Sequence, residues 1–122
     1  MHIDIQSRGF RLTQGLRDYT ERRLRFAFGA TQAGLERIAI RLTDVNGPRG
    51  GEDKRCRIQV SIRGASAVSI EDTESDLYVA IERAVDRAGR TVARRLARLR
   101  QDRRIVPFAP ADYDGGPGAQ AA

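Results

Sequence analysis

The chain is poor in the residues that carry most protein chemistry: it has one cysteine, one histidine, one methionine and no tryptophan. A lone Cys56 excludes an internal disulfide and fits a reducing compartment. A lone His2 beside that lone thiol leaves nucleophilic catalysis without a nucleophile–base pair, so no catalytic residue, cofactor or small-molecule substrate is expected. No apolar run approaches the roughly 20 residues that span a bilayer. Met1-His2-Ile3-Asp4 has neither the basic start nor the apolar stretch of a signal peptide. These absences predict a cytoplasmic protein with no membrane partner. Lysine is almost missing too, since Lys54 stands alone among 22 basic residues and the rest are arginine. Against 16 acidic residues these leave a net charge of +6 and a pI near 10.6, which favours polyanionic partners. The charge is unevenly spread, because Asp102 is the only acid between Arg87 and Arg104.

What is present reads as alternating strands and two amphipathic helices. His2 to Arg8 alternates, with Ile3 and Ile5 on one side and Asp4 and Gln6 on the other. Gly9 lies in a turn. Thr13 is placed to cap a helix from Gln14 to about Phe28, with Leu16, Tyr19, Thr20, Leu24 and Ala27 inward and Gly29 at its end. After a linker over 30–34, Leu35 to Asp44 is a second strand with Ile38, Ile40 and Leu42 inward. Residues 46–53 are dense in turn-formers. Arg55 to Arg63 is a third strand, with Cys56, Ile58, Val60 and Ile62 on its inner side. Gly64-Ala65-Ser66 suits a hairpin into a fourth strand, Ala67 to Glu71. The order β-α-β-β-β-α predicts an α+β two-layer sandwich: a four-stranded sheet with two helices on one face. The expected domain covers residues 1–106, followed by a disordered tail over 107–122, where Pro, Gly and Asp crowd together.

The second helix, from Asp76 to about Arg104, has two unlike faces. Leu77, Ile81, Ala84, Val85, Ala88, Val92, Leu96 and Leu99 form an apolar stripe. Arg83, Arg87, Arg90, Arg94 and Arg98 fall within about 80° of one another at roughly 100° per residue. An ordinary solvated face mixes both signs, whereas here only Asp86 interrupts the row. Guanidinium groups clamp phosphate oxygens in pairs, so the row points to a phosphate-bearing polyanion. Arg22 and Arg25 of the first helix are candidate helpers. Outward Arg37, Arg41, Arg55, Arg57 and Arg63 give the sheet a second basic surface, which edge protection and solubility explain equally well. No exposed aromatic for base stacking is evident, and Tyr78 reads as packing at a helix start. The acids Glu71, Asp72, Glu74 and Asp76 read as helix capping, with Thr73 or Ser75 as the cap, rather than as a metal site. The 47–51 glycine loop lacks a Gly-Lys-Ser/Thr ending and reads as a plain connection, with Arg49 and Lys54 at its ends as further RNA-contact candidates.

Two blocks carry a resemblance. Ile3-Asp4-Ile5 with Phe10-Arg11-Leu12-Thr13-Gln14-Gly15-Leu16-Arg17-Asp18-Tyr19 is similar to the opening of the bacterial ribosome hibernation-promoting factors, also called ribosome-associated inhibitor A or protein Y. Glu71-Asp72-Thr73-Glu74-Ser75-Asp76-Leu77-Tyr78-Val79-Ala80-Ile81 resembles that family's acidic lead-in and Asp-Met/Leu-Tyr-x-Ala-Ile block. The resemblance spans roughly residues 2 to 102. It implies a non-enzymatic translation inhibitor that binds the small ribosomal subunit and its rRNA in the mRNA/tRNA channel of stressed cells. It also implies RNA contacts at the matching positions Arg87, Arg90 and Arg94, while Arg83 and Arg98 rest on spacing. This chain departs from the family's pattern in its longer loop over 44–56 and in Gly89, and the roughly 16 residues after Val106 are expected to be too few for the ribosome-pairing dimerisation domain of long members. A general structured-RNA-binding regulator on the same fold is the alternative.

Overall fold

The computed structural model describes residues 1–44 and 53–105, with side chains to Gln101. It groups residues 1–92 into one compact unit and 93–122 into a second. The expected disordered tail and the 47–51 glycine loop lie outside the described residues.

The elements follow the expected order: β1 (His2–Arg8), α1 (Gln14–Phe28), a 3-10 turn (Gln32–Gly34), β2 (Leu35–Asp44), β3 (Lys54–Ile62), β4 (Val68–Glu74) and α2 (Leu77–Ile105). The strands form one sheet in sequence order, with β1 parallel to β2 and the other pairs antiparallel. A parallel pair needs a crossover, and α1 supplies it. Alternation then sorts the side chains. Ile5, Ile38, Ile40, Leu42, Cys56, Ile58, Val60, Ile62 and Val68 are buried on one face, while Gln6, Arg37, Arg41, Arg57 and Gln59 stay exposed on the other. Among the described residues only this face is covered, and both helices lie on it. Their contribution is Leu16, Leu24 and Phe28 from α1 and Ala80, Ile81, Ala84, Val85, Ala88 and Val92 from α2. Each fully buried Leu, Ile, Val or Phe contributes roughly 1.5–3 kcal/mol of transfer free energy. A bulge between Leu35 and Arg37 lets Leu35 face inward with Ile38 despite their odd spacing.

Local chemistry explains the boundaries. The Thr13 hydroxyl accepts from the Leu16 amide at 3.2 Å and starts α1. At its end Gly29 keeps a right-handed φ of −57°, so the helix stops without the left-handed cap expected there, and Thr31 donates back to the Phe28 carbonyl instead. Phe28 rather than Tyr19 or Ala27 completes the inner face of α1: Leu16, Thr20, Leu24 and Phe28 recur every four residues and all are buried. Gly9 adopts φ +87° with its backbone against Asp44, where an added Cβ would stand 2.7 Å from the Asp44 carbonyl oxygen. Lys54 ties the neighbouring end of β3, its ammonium 3.3 Å from Asp44 and 2.9 Å from the buried carboxylate of Asp53. Among the described residues no helix is long and apolar enough to cross a membrane.

The acidic cluster is the main correction. β4 runs on to Glu74, so Glu71, Asp72, Thr73 and Glu74 are strand residues and not helix caps. Asp76 alone caps α2, accepting from the Tyr78 amide at 2.8 Å through its side chain and from the Ala80 amide through its carbonyl. Strand alternation separates the acids: Asp72 and Glu74 continue the inward side of Val68 and Ile70, and Glu71 faces outward. Among the described residues no group of three or more His, Cys, Asp or Glu side chains is placed to hold a metal ion.

Candidate nucleic-acid interface

The two helices meet along a seam of matched residues. The Tyr19 and Tyr78 rings pack edge to face with centroids 4.8 Å apart, and the Tyr19 hydroxyl donates to Glu82 at 2.7 Å. One turn on, Arg23 donates to Asp86 at 3.3 Å. One turn further, Gly89 faces Ala27, where an added Cβ would lie 3.5–3.6 Å from the Ala27 carbonyl oxygen and Cβ. Residue numbers rise together across the seam, so the helices run side by side and parallel. Burial and the Glu82 carboxylate raise the Tyr19 pKa to about 12. The consequence for charge is direct. The acids on α2 between Leu77 and Val92 are Glu82 and Asp86, and both turn into the seam, away from the arginine side.

The arginines of α2 in the first unit, Arg83, Arg87 and Arg90, differ in their partners. Arg83 lies 3.5 Å from Glu74. Arg87 donates to the Glu71 carbonyl at 3.1 Å and stands 3.7 Å from the Asp72 carboxylate. Both therefore lean over the β4 edge. Arg90 is exposed and makes no ion pair with a described residue. It lies about 180° around the helix from buried Ile81, at 100° per residue, and so points away from the sheet. On α1, Arg22 is likewise exposed, opposite the Leu16–Phe28 face and without an ion pair among the described residues. Arg25 pairs with Glu21 at 2.8 Å. The first compact unit thus brings Arg22, Arg25, Arg83, Arg87 and Arg90 onto its helical layer. Arg94 and Arg98 are exposed in the second unit. Exposed ion pairs are worth only about 0–1 kcal/mol, so a phosphate can displace the Glu21, Glu74 and Asp72 partners.

One residue was missed by the periodicity. Phe26 is 83% exposed on α1, one turn beyond Arg22, and Tyr78 keeps 48% of its surface exposed beside Tyr19. The expectation of no exposed aromatic is therefore corrected. The signal was available: a face drawn through Leu24 and Phe28 leaves Phe26, midway between them, on the opposite side. His2 is exposed on β1, and Cys56 is fully buried, its thiol pKa raised first by burial and then by the Asp72 charge.

Known proteins share the fold. The model of a family described as sigma 54 modulation protein/S30EA ribosomal protein matches residues 3–100. The crystal structure of the Thermus thermophilus Protein Y N-terminal domain superposes with a TM-score of 0.64 at 31% identity, over 77% of this chain and 98% of that one. A ribosomal subunit interface protein from Coxiella burnetii superposes with a TM-score of 0.66 over 80% of this chain and 99% of that one. At 18% identity that second likeness is one of fold. No curated protein matches the chain.

Proposed function

The chain belongs to the sigma 54 modulation protein/S30EA ribosomal protein family, and from that premise we propose that it is a cytoplasmic hibernation factor that silences idle ribosomes by binding and performs no catalysis. Its partner is the small ribosomal subunit, and its place is the channel that messenger and transfer RNA otherwise occupy. The observation that carries this reading is the sorting of charge on α2. Glu82 and Asp86 are spent on the seam with Tyr19 and Arg23, which leaves Arg83, Arg87 and Arg90 as a basic outer surface. Arg22 and Arg25 extend it onto α1, and Arg94 and Arg98 continue the row along α2. Guanidinium forks on a helix surface bind rRNA phosphates without reading bases, so shape supplies the specificity and salt weakens the grip. Arg22 and Arg90, which have no ion pair to break among the described residues, contribute most.

The test is co-sedimentation of the purified protein with small subunits, with and without messenger and transfer RNA. Competition by either RNA is expected, as is a loss of about tenfold or more in affinity for Arg22→Glu combined with Arg90→Glu. Binding that neither RNA displaces, and that any structured RNA reproduces, would make the protein a general RNA-binding regulator instead. Full binding by the double variant would show the helical layer to be the wrong surface.

A further inference from the structure

The other side of the domain carries a second arginine cluster that the helical site does not use. β-sheet register places it. Arg41 of β2 stands directly opposite Arg57 of β3. One pair along, Thr43 is flanked by Arg8 of β1 and Arg55 of β3. Like charges set directly across a sheet repel, so this arrangement opposes its own folding unless something negative fills it. Among the described residues the carboxylate paired with the cluster is Glu71 of β4, and it is oversubscribed. Asp4, which shares the adjoining hollow with Arg41 and Arg57, is taken by Arg37 at 3.1 Å. Glu71 Oε1 accepts from Arg57 Nε at 3.3 Å and Nη2 at 3.2 Å. Arg55 Nε lies 3.4 Å from the other oxygen yet is buried without a hydrogen-bond acceptor. Arg41 reaches only the neutral Gln6 amide oxygen at 3.5 Å, and Arg8 makes no ion pair with a described residue. Arg8, Arg41, Arg55 and Arg57, with Thr43, line an open hollow of about 120 Å³.

We propose that this open sheet face is a second phosphate-binding surface, so that the domain grips RNA from two sides, with its helices on one strand or helix and the Arg8–Arg41–Arg55–Arg57 cluster on another. The proposal rests on the RNA-binding reading above and deepens it. The shape of the surface names its occupant. Neighbouring strands are about 4.8 Å apart, so the guanidinium groups are spread over a surface roughly 10 Å wide. A small metabolite would meet no enclosing wall there. The exposed residues around the cluster, Gln6, Gln59 and Ser69, offer nothing apolar to a membrane. An RNA backbone, with phosphates repeated along its length, matches a flat, extended set of arginine forks.

The experiment compares Arg8→Ala with Arg41→Ala against the helical Arg22→Glu with Arg90→Glu, in salt titrations of binding to purified small subunits. The sheet variant leaves Glu71 and its partners in place, and a thermal melt confirms that it folds. Its affinity is expected to fall about tenfold at fixed salt and its log–log salt slope by about two, one per lost phosphate contact. Unchanged affinity and slope would overturn the sheet-face proposal while leaving the helical reading intact. Loss in the sheet variant with none in the helical variant would overturn the two-sided grip and the helical reading together. A second measurement uses two short RNA hairpins carrying donor and acceptor dyes. The unaltered protein should bring them together, and either double variant should bind one hairpin yet no longer bridge two. Failure of the unaltered protein to bridge them at any protein-to-RNA ratio overturns the proposal.

Discussion

Tyr19 shows how one side chain joins two elements. Its phenol packs edge to face with Tyr78, donates to Glu82 and is pushed from 10.0 to about 12 by burial and that carboxylate. The sign of the resulting pH dependence follows. Below pH 10 the phenol keeps its proton folded or unfolded, and its contribution to stability is whole. Between pH 10 and about 12 the unfolded chain gives up the proton first, so stability falls as pH rises through that window. Tyr19→Phe removes the hydroxyl and should flatten this fall. Denaturant midpoints measured at neutral pH and at steps above pH 10 check it, and a variant that loses stability as steeply as the parent would contradict the assignment. Cys56 is the opposite case, a group that chemistry cannot reach. Its thiol is fully buried on a strand position paired with Leu42 and Asp72, with a raised pKa, which fits a core residue and no redox role.

At the scale of elements, α2 and β4 fit each other through alternation. The inward side of β4 sends Asp72 and Glu74 up to Arg87 and Arg83, while its outward side sends Glu71 to Arg55 and Arg57. One strand therefore partners both basic surfaces, by the period of two alone. The apolar side of α2 is buried from Ala80 through Val92, and Leu96 and Leu99 in the second unit are only half-buried. Gly89 interrupts this helix at its contact with α1. A methyl group there meets Ala27 at 3.5–3.6 Å, an ordinary van der Waals distance, so nothing steric requires glycine. Gly89→Ala should therefore stabilise the domain by roughly 0.5–1 kcal/mol through helix propensity. A higher urea midpoint with an unchanged m-value is the expected reading, and a lower midpoint would mean that the seam needs a closer approach than this geometry has.

For the whole molecule the question is how charge is distributed over it. A net charge of +6 says little by itself; what matters is that the acids sit where they hold the fold. Glu82 and Asp86 face the seam, Asp53 and Asp44 hold Lys54, and Asp72 and Glu74 pair with Arg87 and Arg83 of α2. The arginines of the helical layer and of the open sheet face are left to give those two surfaces their basic character. If Glu74 holds Arg83 back from RNA, then Glu74→Gln should tighten binding to small subunits by about two- to fivefold at low salt, the size of an exposed ion pair. The gain should vanish as salt rises. Weaker or unchanged binding at low salt would mean that Arg83 does not touch RNA.

Strand and helix periods, read along the chain, were enough for the element order, the inward residues of β2 and β3, Thr13 as a cap and the arginine side of α2. Each of these depends on neighbours one to four residues apart. The two motif blocks were enough for the family. What needed the assembled fold was every pairing between distant residues: that β4 extends to Glu74, that Phe28 and not Tyr19 enters the core, that Phe26 is left outside, and that Arg83 and Arg87 are tethered while Arg22 and Arg90 have no ion pair with a described residue. The acids before α2 show why. As a string they look like a helix lead-in, since capping requires only local spacing. Pairing with β3 gives their backbone a ladder of hydrogen bonds as far as Glu74, and arginines from two surfaces then take up their charge. Local spacing cannot choose between those outcomes, because the partners that decide it lie on β3 and α2 and meet only when the sheet and the helical layer close on one core.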